Sequence, residues 1–310
     1  MSGERRARPV KISLIQRGPA EEDKELTLRN LLAQFDYVLE KERPDFIMPI
    51  ELCTTPYFPA VSDERYFDWA EPIPGPTTDL FAEKARKYEA CIILPIFEKG
   101  PLEGIYYNSA VVLGPDGNII QGNMFDGTRA YRYVKTHIPK LMGSKGYIVD
   151  ETFYFTPGTG FPVFDTPKAR IGILICHDRR FPEAWREVVL QGAEIVFVPV
   201  DSPVLGVKKG ATFADMFVAE LRTRALENCV WVCATNQGGI EKVQDKKNEF
   251  FGRSCIINPT GKVVKLAPAS QPAVISASIN LEEVDIARRF LNTFNRRRPE
   301  LYKLINRAQI

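Results

Sequence analysis

The sequence predicts a single α/β domain in which helices cover sheets of buried strands. Apolar segments of strand length alternate with amphipathic helical segments, hairpin signals occur in two comparable places, and no linker interrupts the series. With 310 residues, of which 45% are hydrophobic and 26% charged, the chain is long enough to bury one large core. Two sheets packed together are one arrangement that this pattern allows.

Each element follows from a local pattern. Alternating apolar and polar residues predict strands with one covered face, short continuous apolar runs predict buried strands, and apolar residues recurring every three or four positions predict helices. Gly-Pro-Asp-Gly at 114–117 and Asn-Pro-Thr-Gly at 258–261 predict the turns of two hairpins. By these rules the chain contains strands at 10–16, 45–52, 91–97, 109–113, 118–121, 169–176, 195–200, 230–235 and 273–279, and helices at 21–42, 77–88, 182–191 and 213–228.

Two parts of the chain lack such regular patterns. Residues 123–161 are rich in Gly, Thr, Tyr, Arg and Lys without sustained periodicity, which predicts a long loop region, and loops of this length are commonly functional. Residues 286–310 carry arginines among apolar side chains. We expect them to form a carboxyl-terminal arm outside a 1–285 domain, either solvated or packed on a partner subunit.

The composition excludes several classes of partner. The formal net charge is +2 and basic residues are dispersed, so we expect a small-molecule partner and neither nucleic acid nor a membrane surface. No apolar stretch near the amino terminus is long enough for a signal peptide or a membrane span, which predicts a cytoplasmic protein. Six scattered cysteines and only two histidines predict free thiols in a reducing compartment and no metal site.

A cysteine stands where a buried strand turns into a helix. The apolar run at 173–175 ends at Cys176, and Pro182 signals that a helix starts shortly afterwards. We expect the helix dipole and the guanidinium groups of Arg179 and Arg180 to lower the pKa of this thiol, which would make it reactive near neutral pH. A buried structural cysteine is the alternative, because cysteine is among the most buried residue types.

Three ionisable residues occur in apolar surroundings. Glu51 ends an apolar run that should be sheet core, where an unpaired charge is costly. Lys135 lies in a partly apolar stretch of the long loop region, where a salt-bridged structural lysine is the alternative. Glu151 is followed by three aromatic residues that are expected to desolvate it and raise its pKa. A thiol, a carboxylate that takes its proton and an ammonium that holds an oxyanion are together what acyl transfer needs.

These residues lie in four motifs: Pro49-Ile50-Glu51-Leu52, Lys135-Thr136-His137-Ile138-Pro139, Glu151 with Phe155-Thr156-Pro157-Gly158, and the segment from Ile175 to Glu183. Together the motifs resemble the nitrilase (carbon-nitrogen hydrolase) superfamily. Within it, Cys176 to Trp185 and the tail from Phe294 to Tyr302 most resemble the N-carbamoyl-D-amino-acid amidohydrolases. The resemblance implies a four-layer αββα sandwich, a Glu-Lys-Cys catalytic set, and subunits that form a homodimer or homotetramer and exchange carboxyl-terminal tails.

The resemblance also leads to a hypothesis for the reaction. Glu51 would accept the thiol proton of Cys176, which attacks an amide or ureido carbonyl, while Lys135 and the backbone N–H of His177 stabilise the oxyanion. Glu151 would orient Lys135 and help to protonate the leaving nitrogen. Ammonia would leave, a thioester would remain, and water would hydrolyse it without a metal or organic cofactor. The expected substrate is an N-carbamoyl amino acid, which would give the amino acid, carbon dioxide and ammonia.

Two adjacent arginines are the first substrate-binding candidates. Arg179 and Arg180 suit a substrate carboxylate, because a guanidinium group can grip it through two parallel hydrogen bonds. The alternative is that they pair with Asp178 or Glu183. The sequence departs from the carbamoylase pattern at further substrate-binding candidates: His177 replaces an Asn, and Asp201-Ser202 replaces Asn-Thr.

These departures bear on the substrate more than on the chemistry. Asp201 would add negative charge at the rim of the expected pocket and repel a carboxylate unless an arginine neutralises it. An insertion at 122–131 lengthens a loop expected beside the pocket, and Val149-Asp150 precedes Glu151 in place of a His-Leu pair.

Other functions compatible with the sequence remain as alternatives. The first is an amidase that acts on a plain carboxamide, and a nitrilase acting on nitriles is less favoured. A protease-like dyad of Cys176 with His137 or His177 would be insensitive to loss of Lys135. A non-catalytic binding protein that keeps the fold is the last.

Overall fold

The computed structural model describes residues 7–142, 148–204 and 212–307. Within these residues the chain forms two large sheets, two small hairpins and five α-helices. The strands are β1 (Pro9–Gln16), β2 (Phe46–Met48), β3 (Cys91–Lys99), β4 (Tyr106–Leu113), β5 (Gly122–Asn123), β6 (Arg129–Ala130), β7 (Tyr133–Val134), β8 (Lys140–Met142), β9 (Ile148–Asp150), β10 (Val163–Asp165), β11 (Arg170–Ile173), β12 (Ile195–Val198), β13 (Trp231–Ala234), β14 (Gly238–Val243), β15 (Lys246–Phe251), β16 (Cys255–Ile257), β17 (Val263–Leu266) and β18 (Ala273–Asn280). The helices are α1 (Lys24–Glu42), α2 (Pro76–Tyr88), α3 (Pro182–Leu190), α4 (Phe213–Asn228) and α5 (Glu282–Leu291).

Each large sheet has parallel strands at its centre. The first sheet has the strand order β18-β1-β2-β3-β4-β7, and the second has the order β17-β16-β13-β12-β11-β10-β5-β6. Strands β1, β2 and β3 are parallel to one another, as are β11, β12 and β13. The carboxyl ends of parallel strands meet at one edge of a sheet, and this is where ligands bind in open α/β sheets.

The alternation of side chains along the strands builds the layers. In β2, Phe46 and Met48 belong to the core between the sheets, where the Phe46 and Phe197 rings lie 5.6 Å apart. Ile47 points to the opposite face and joins the core that includes Phe35 of α1 and Phe81 of α2. A one-residue shift of β2 would therefore exchange its two buried faces.

Helices α3 and α4 cover the other sheet through large apolar side chains, including Trp185 and Leu221. The order of layers is thus helix, sheet, sheet, helix. This confirms the predicted α/β class and the four-layer αββα sandwich.

Several element boundaries differ from the sequence prediction. Helix α1 begins after Asp23, whose side chain accepts a hydrogen bond from Leu26 N at 2.9 Å and so caps the helix. The segment at 123–161 is not one long loop, because it contains the short strands β5 to β9 and a 3-10 turn at Glu151–Phe153. These strands have two or three residues each, too few to show a period.

The carboxyl-terminal part contains two elements that the sequence prediction did not include, the hairpin β14–β15 and helix α5. Helix α5 spans the predicted boundary between residues 285 and 286, with acidic residues in its first turn and arginines in its last turn, which complement the helix dipole. Packing of the arm on a partner subunit stays a prediction, and residues 308–310 of the arm lie outside the described residues.

No helix in the described residues is long and apolar enough to cross a membrane.

Candidate active site

The site lies where the carboxyl ends of β2 and β11 lead out of the two sheets. Glu51 follows β2 by three residues and Cys176 follows β11 by three residues. Lys135 directly follows β7, and its backbone N–H donates to Asn108 O at 2.8 Å. Glu151 directly follows β9 and opens a 3-10 turn. The structure therefore brings together the four residues that the sequence predicted to be catalytic.

Cys176 occupies a strained turn between strand and helix. Its φ angle of 46° lies in the left-handed region, which costs a residue other than glycine about 1–3 kcal/mol. The Cys176 N–H donates to Pro199 O at 2.9 Å, and a 3-10 turn over Cys176–Arg180 leads directly into Pro182, the first residue of α3. This is the strand-to-helix turn that the sequence predicted, with one additional helical turn in it.

Lys135 bridges two carboxylates in the protein interior. Its Nζ lies 2.7 Å from Glu51 Oε1 and 2.6 Å from Glu151 Oε2, and the exposed fraction of each of these three residues is 1% or less. Isolated charges at this depth would be strongly disfavoured, and each of the three is paired. The burial of Lys135 lowers its pKa, but Glu151 and Glu51 outweigh this, so the pKa is raised and the ammonium stays charged.

Glu51 is further held by two donors from other segments. Asn108 Nδ2 donates to Glu51 Oε1 at 2.7 Å, and Asp201 N donates to Oε2 at 3.0 Å. Asn108 was not a predicted site residue, and the signal available for it was a buried amide within the apolar strand β4. With both carboxylate oxygens bound, Glu51 has a fixed orientation beside Cys176, whose ionisation it influences electrostatically.

Glu151 is a carboxyl group that titrates near neutrality. Burial, the largest effect, raises its pKa to about 7, although the Lys135 charge acts in the opposite direction. The Tyr57 hydroxyl donates to Glu151 Oε1 at 3.0 Å, and nothing in the sequence around Tyr57 indicated this contact. Tyr154 and Phe155, which follow Glu151, lie in a buried aromatic cluster. The predicted upward shift of the Glu151 pKa is confirmed.

The predicted direction of the thiol pKa is wrong. Burial and the Glu51 carboxylate raise the pKa of Cys176, and together they outweigh Lys135 and Arg179, which lower it. The resting side chain is therefore a neutral thiol at neutral pH, and its deprotonation requires a base. The turn places the sulfur 3.7 Å from Arg179 Nη1, but the cysteine is only 6% exposed, so desolvation dominates.

A cavity of about 320 Å³ opens onto Cys176. Its polar lining includes Tyr57, Glu151 and Cys176, so one carboxyl group of the buried ionic set and the thiol line the same space. The remaining lining residues are His177, Arg179, Arg180 and Ser202, with the apolar residues Pro139, Leu141, Val149, Pro203, Phe213 and Met216. A small molecule with a polar reacting end and an apolar stem fits this composition.

The two adjacent arginines have different surroundings. Arg179 is buried: its Nη1 donates to Cys176 O at 2.6 Å, and its Nε forms an ion pair with Glu220 Oε2 at 3.3 Å. Arg180 Nη1 lies 3.3 Å from the same carboxylate oxygen, and its side chain is 34% exposed. The alternative pairing with Asp178 or Glu183 is therefore not what the structure shows for either arginine. Both arginines line the cavity, but Arg179 donates to the cysteine backbone, whereas Arg180 is the more exposed of the two.

Of the other predicted substrate-binding residues, His177 and Ser202 line the cavity, whereas Asp201 does not. Burial and the charge of Lys135 lower the pKa of His177 to about 4, so its imidazole is neutral near pH 7. Asp201 is fully buried behind the wall, and burial raises the pKa of its carboxyl well above the usual range. This differs from the expectation of a negatively charged rim. Ser202 lines the cavity, and its N–H donates to Asn236 Oδ1 at 2.9 Å.

Among the residues that the structure describes, no group of three or more His, Cys, Asp or Glu side chains has an arrangement that could hold a metal ion. The charged groups of the site instead satisfy one another.

The sandwich and its buried ionic site define an α/β enzyme, and comparisons with known proteins specify its family. The sequence profile of the carbon-nitrogen hydrolase family matches residues 11–289. An N-carbamoylputrescine amidase from Oryza sativa subsp. japonica is 34% identical over 271 residues, which cover 86% of this chain and 84% of that protein. A citrullinase from Francisella tularensis subsp. tularensis is 31% identical over 269 residues, which cover 86% of this chain and 88% of that protein.

A solved structure agrees with these sequence matches. The crystal structure of a carbon-nitrogen hydrolase from Helicobacter pylori aligns with a TM-score of 0.84 and 26% identity, covering 97% of this chain and all of that one (100%). The chain therefore belongs to the carbon-nitrogen hydrolase family, within the nitrilase superfamily, and is a carbon-nitrogen hydrolase of the amidase type. The predicted superfamily and enzyme class are confirmed.

Proposed function

We propose that this hydrolase removes ammonia from the terminal ureido group of an N-carbamoyl amino acid, through a covalent intermediate on Cys176. The observation that carries the proposal is the buried lysine bridge, in which Lys135 joins Glu51 and Glu151 beside the only thiol that lines the described cavity. This set contains a base, an oxyanion donor and a nucleophile, the groups that acyl transfer requires. The names of the relatives, an amidase of N-carbamoylputrescine and a citrullinase, support a ureido substrate.

The charges of the cavity favour a substrate that carries a carboxylate. Arg179 and Arg180 share one carboxylate, Glu220, so within the part of the chain that the structure describes their two positive charges pair with one negative charge. Burial and the neighbouring Arg179 lower the pKa of Arg180, which reflects this crowding of positive charge. A substrate anion relieves it, whereas the ammonium end of a carbamoylated diamine meets charge of its own sign.

The reaction has two stages. In the first, Glu51 takes the Cys176 proton, the sulfur attacks the ureido carbon, and Lys135 stabilises the oxyanion until the C–N bond to ammonia breaks. Glu51 passes this proton to the leaving nitrogen, with the help of Glu151, so that ammonia departs and Glu51 is again ionised. In the second stage, Glu51 takes a proton from water, the hydroxide attacks the thioester carbon, the C–S bond breaks, and Glu51 returns the proton to the sulfur to restore the thiol. The released carbamate loses carbon dioxide and leaves the free amino acid.

The pH dependence of the reaction is expected to follow the titration of Glu151. Below a pH of about 7, the protonation of Glu151 removes the negative charge that holds Lys135 on that side. We therefore expect kcat/KM to rise with pH through about 7, and Glu151→Gln to move this rise to lower pH while reducing kcat. Initial rates from pH 5 to 9 measure both, and an unmoved rise in Glu151→Gln contradicts the assignment.

The substrate class is tested by ammonia release from a panel of compounds. The panel contains D- and L-N-carbamoyl amino acids, N-carbamoyl-β-alanine, citrulline, N-carbamoylputrescine, and aliphatic and aromatic carboxamides. We expect carboxylate-bearing ureido compounds to have the highest kcat/KM, and Arg180→Met to lower it for them by about 10–100-fold, the value of a charge-assisted contact. Arg222→Met, on α4 but outside the cavity lining, is the matched control.

Two results of this panel would oppose the proposal. Faster ammonia release from simple carboxamides would establish the alternative amidase function. A preference for N-carbamoylputrescine that survives in Arg180→Met would show that the arginine does not select the substrate.

A further inference from the structure

Asp178 is a fully buried carboxylate between the two segments that carry Lys135 and Cys176. Its Oδ2 accepts a hydrogen bond from the Tyr133 hydroxyl at 2.6 Å, and its Oδ1 accepts from His137 N at 2.9 Å and from His137 Nδ1 at 2.7 Å. Tyr133 lies two residues before Lys135, and His137 lies two residues after it. One carboxylate therefore holds both flanks of the lysine segment against the cysteine turn.

The same groups hold the turn that carries the cysteine. Ile175 N, just before the cysteine, donates to Asp178 Oδ2 at 3.1 Å. The His137 ring lies parallel to the ring of Phe181, which ends the turn, with centroids 3.7 Å apart and planes inclined by 9°. Contacts from one carboxylate and one imidazole thus reach both ends of the turn.

Lys135 and Cys176 also come from different sheets. Lys135 follows β7, at the edge of the first sheet, and Cys176 follows β11, inside the second. Strand β7 pairs with β4 through two residues, a short anchor for a side chain that must meet a partner from another sheet. A displacement of about 1 Å between reacting groups can reduce a rate by about 100-fold.

We propose that Asp178 is a positioning residue, which sets the position of Lys135 relative to Cys176 through Tyr133 and His137. This inference rests on the catalytic roles proposed above for Lys135 and Cys176. It also assigns His137 a structural duty toward the reaction, because its Nδ1 is bound to Asp178 and its ring stacks on Phe181.

The test compares variants that remove or retain one bond to Asp178. Tyr133→Phe removes the hydroxyl donor, His137→Leu removes the Nδ1 donor, and His137→Asn offers an amide N–H at the position of Nδ1. Tyr66→Phe is the matched control, since it removes a buried hydroxyl bound to a different carboxylate, Glu22, outside the site. Each variant is checked for its unfolding temperature.

Two readouts are needed, one with substrate and one without. The first is kcat and KM with the best ureido substrate. The second is the rate at which iodoacetamide alkylates Cys176 as a function of pH, followed by mass spectrometry of the labelled peptide. The second readout needs no turnover, so it judges the positioning role even if the substrate proposal fails.

We expect His137→Leu to lower kcat by about 10–100-fold with little change in KM, and to shift the alkylation profile to higher pH because the lysine charge is displaced from the thiol. Tyr133→Phe should lower kcat by about fivefold, the equivalent of one ordinary hydrogen bond. His137→Asn should lose clearly less than His137→Leu, because it keeps a donor to Asp178 and loses only the ring contact with Phe181. Tyr66→Phe should stay close to wild type in both readouts.

Two results would overturn the proposal. Wild-type kcat and alkylation profiles in both His137→Leu and Tyr133→Phe would overturn the proposal. An equal loss in His137→Asn and His137→Leu would overturn it as well, because the bond from residue 137 to Asp178 would then make no difference to the reaction.

Discussion

Replacing Cys176 with alanine is expected to abolish ammonia release, with a residual rate lower by about 10⁴-fold or more, because the covalent route needs the sulfur. The fold should tolerate the change. Among the described residues the thiol makes one weak hydrogen bond, at 3.7 Å to Arg179 Nη1, while the hydrogen bonds that shape the turn come from the backbone of Cys176. Ammonia release in a coupled assay measures the first effect, and thermal unfolding measures the second.

An independent readout strengthens this experiment. Wild-type enzyme mixed rapidly with substrate and quenched in acid should carry the mass of a thioester on the peptide that contains Cys176, and Cys176→Ala should not. Cys233→Ala is a suitable control, because that cysteine is buried in β13 outside the cavity. Undiminished turnover by Cys176→Ala would remove the basis of the covalent mechanism.

Replacing Lys135 with methionine is expected to lower kcat by about 10³-fold, since the variant loses the donor that stabilises the oxyanion. The variant should also be less stable by about 3–5 kcal/mol at neutral pH, because two buried carboxylates lose their shared cation. Unpaired buried carboxyls have raised pKa values in the folded state. Their cost therefore appears as the pH rises through those values, and the stability deficit should shrink toward pH 5. Denaturant unfolding at pH 5 and pH 8 measures the deficit.

A double variant separates the two effects of this lysine. Lys135→Met with Glu151→Gln removes one of the stranded carboxylates, so it should recover part of the stability and none of the activity. The result also decides between mechanisms. A cysteine–histidine dyad predicts that Lys135→Met stays active, so near wild-type turnover in that variant would contradict the role of the lysine.

Local sequence patterns were sufficient to predict the elements that carry Cys176 and Glu51. The apolar run before Cys176 and the proline after it define a strand, a turn and a helix start, and the structure has all three. Glu51 was a candidate site residue because it ends an apolar run, where a charged side chain is expected to be buried, and it is fully buried. In both cases the physical signal, a polar or reactive group at the end of a core strand, lies within a few residues.

Local sequence patterns did not predict contacts between residues that are distant in sequence. The pKa of the Cys176 thiol depends on how deeply the folded chain buries the sulfur, and the sequence around it suggested only the basic neighbours. Similarly, the hydrogen bonds from Tyr57 to Glu151 and from Asn108 to Glu51 join residues that are far apart in sequence. The partner of Arg179 and Arg180 is Glu220, on α4, although two acidic residues stand much closer in sequence. The short strands were missed for a simpler reason, since two or three residues show no reliable period. Helix α5 was missed because the predicted domain boundary was drawn inside it.

The buried bridge of Lys135 with Glu51 and Glu151 has a consequence for the evolutionary history of this scaffold. Besides their proposed part in catalysis, these side chains stabilise the fold, because their mutual pairing makes three charges compatible with the interior. The sulfur of Cys176 has no comparable polar contact among the described residues. Purifying selection on the fold alone would therefore retain the lysine and the glutamates after selection for hydrolysis had ended. In duplicated descendants that have lost activity, we expect the cysteine to be replaced first and the three charged residues to persist together.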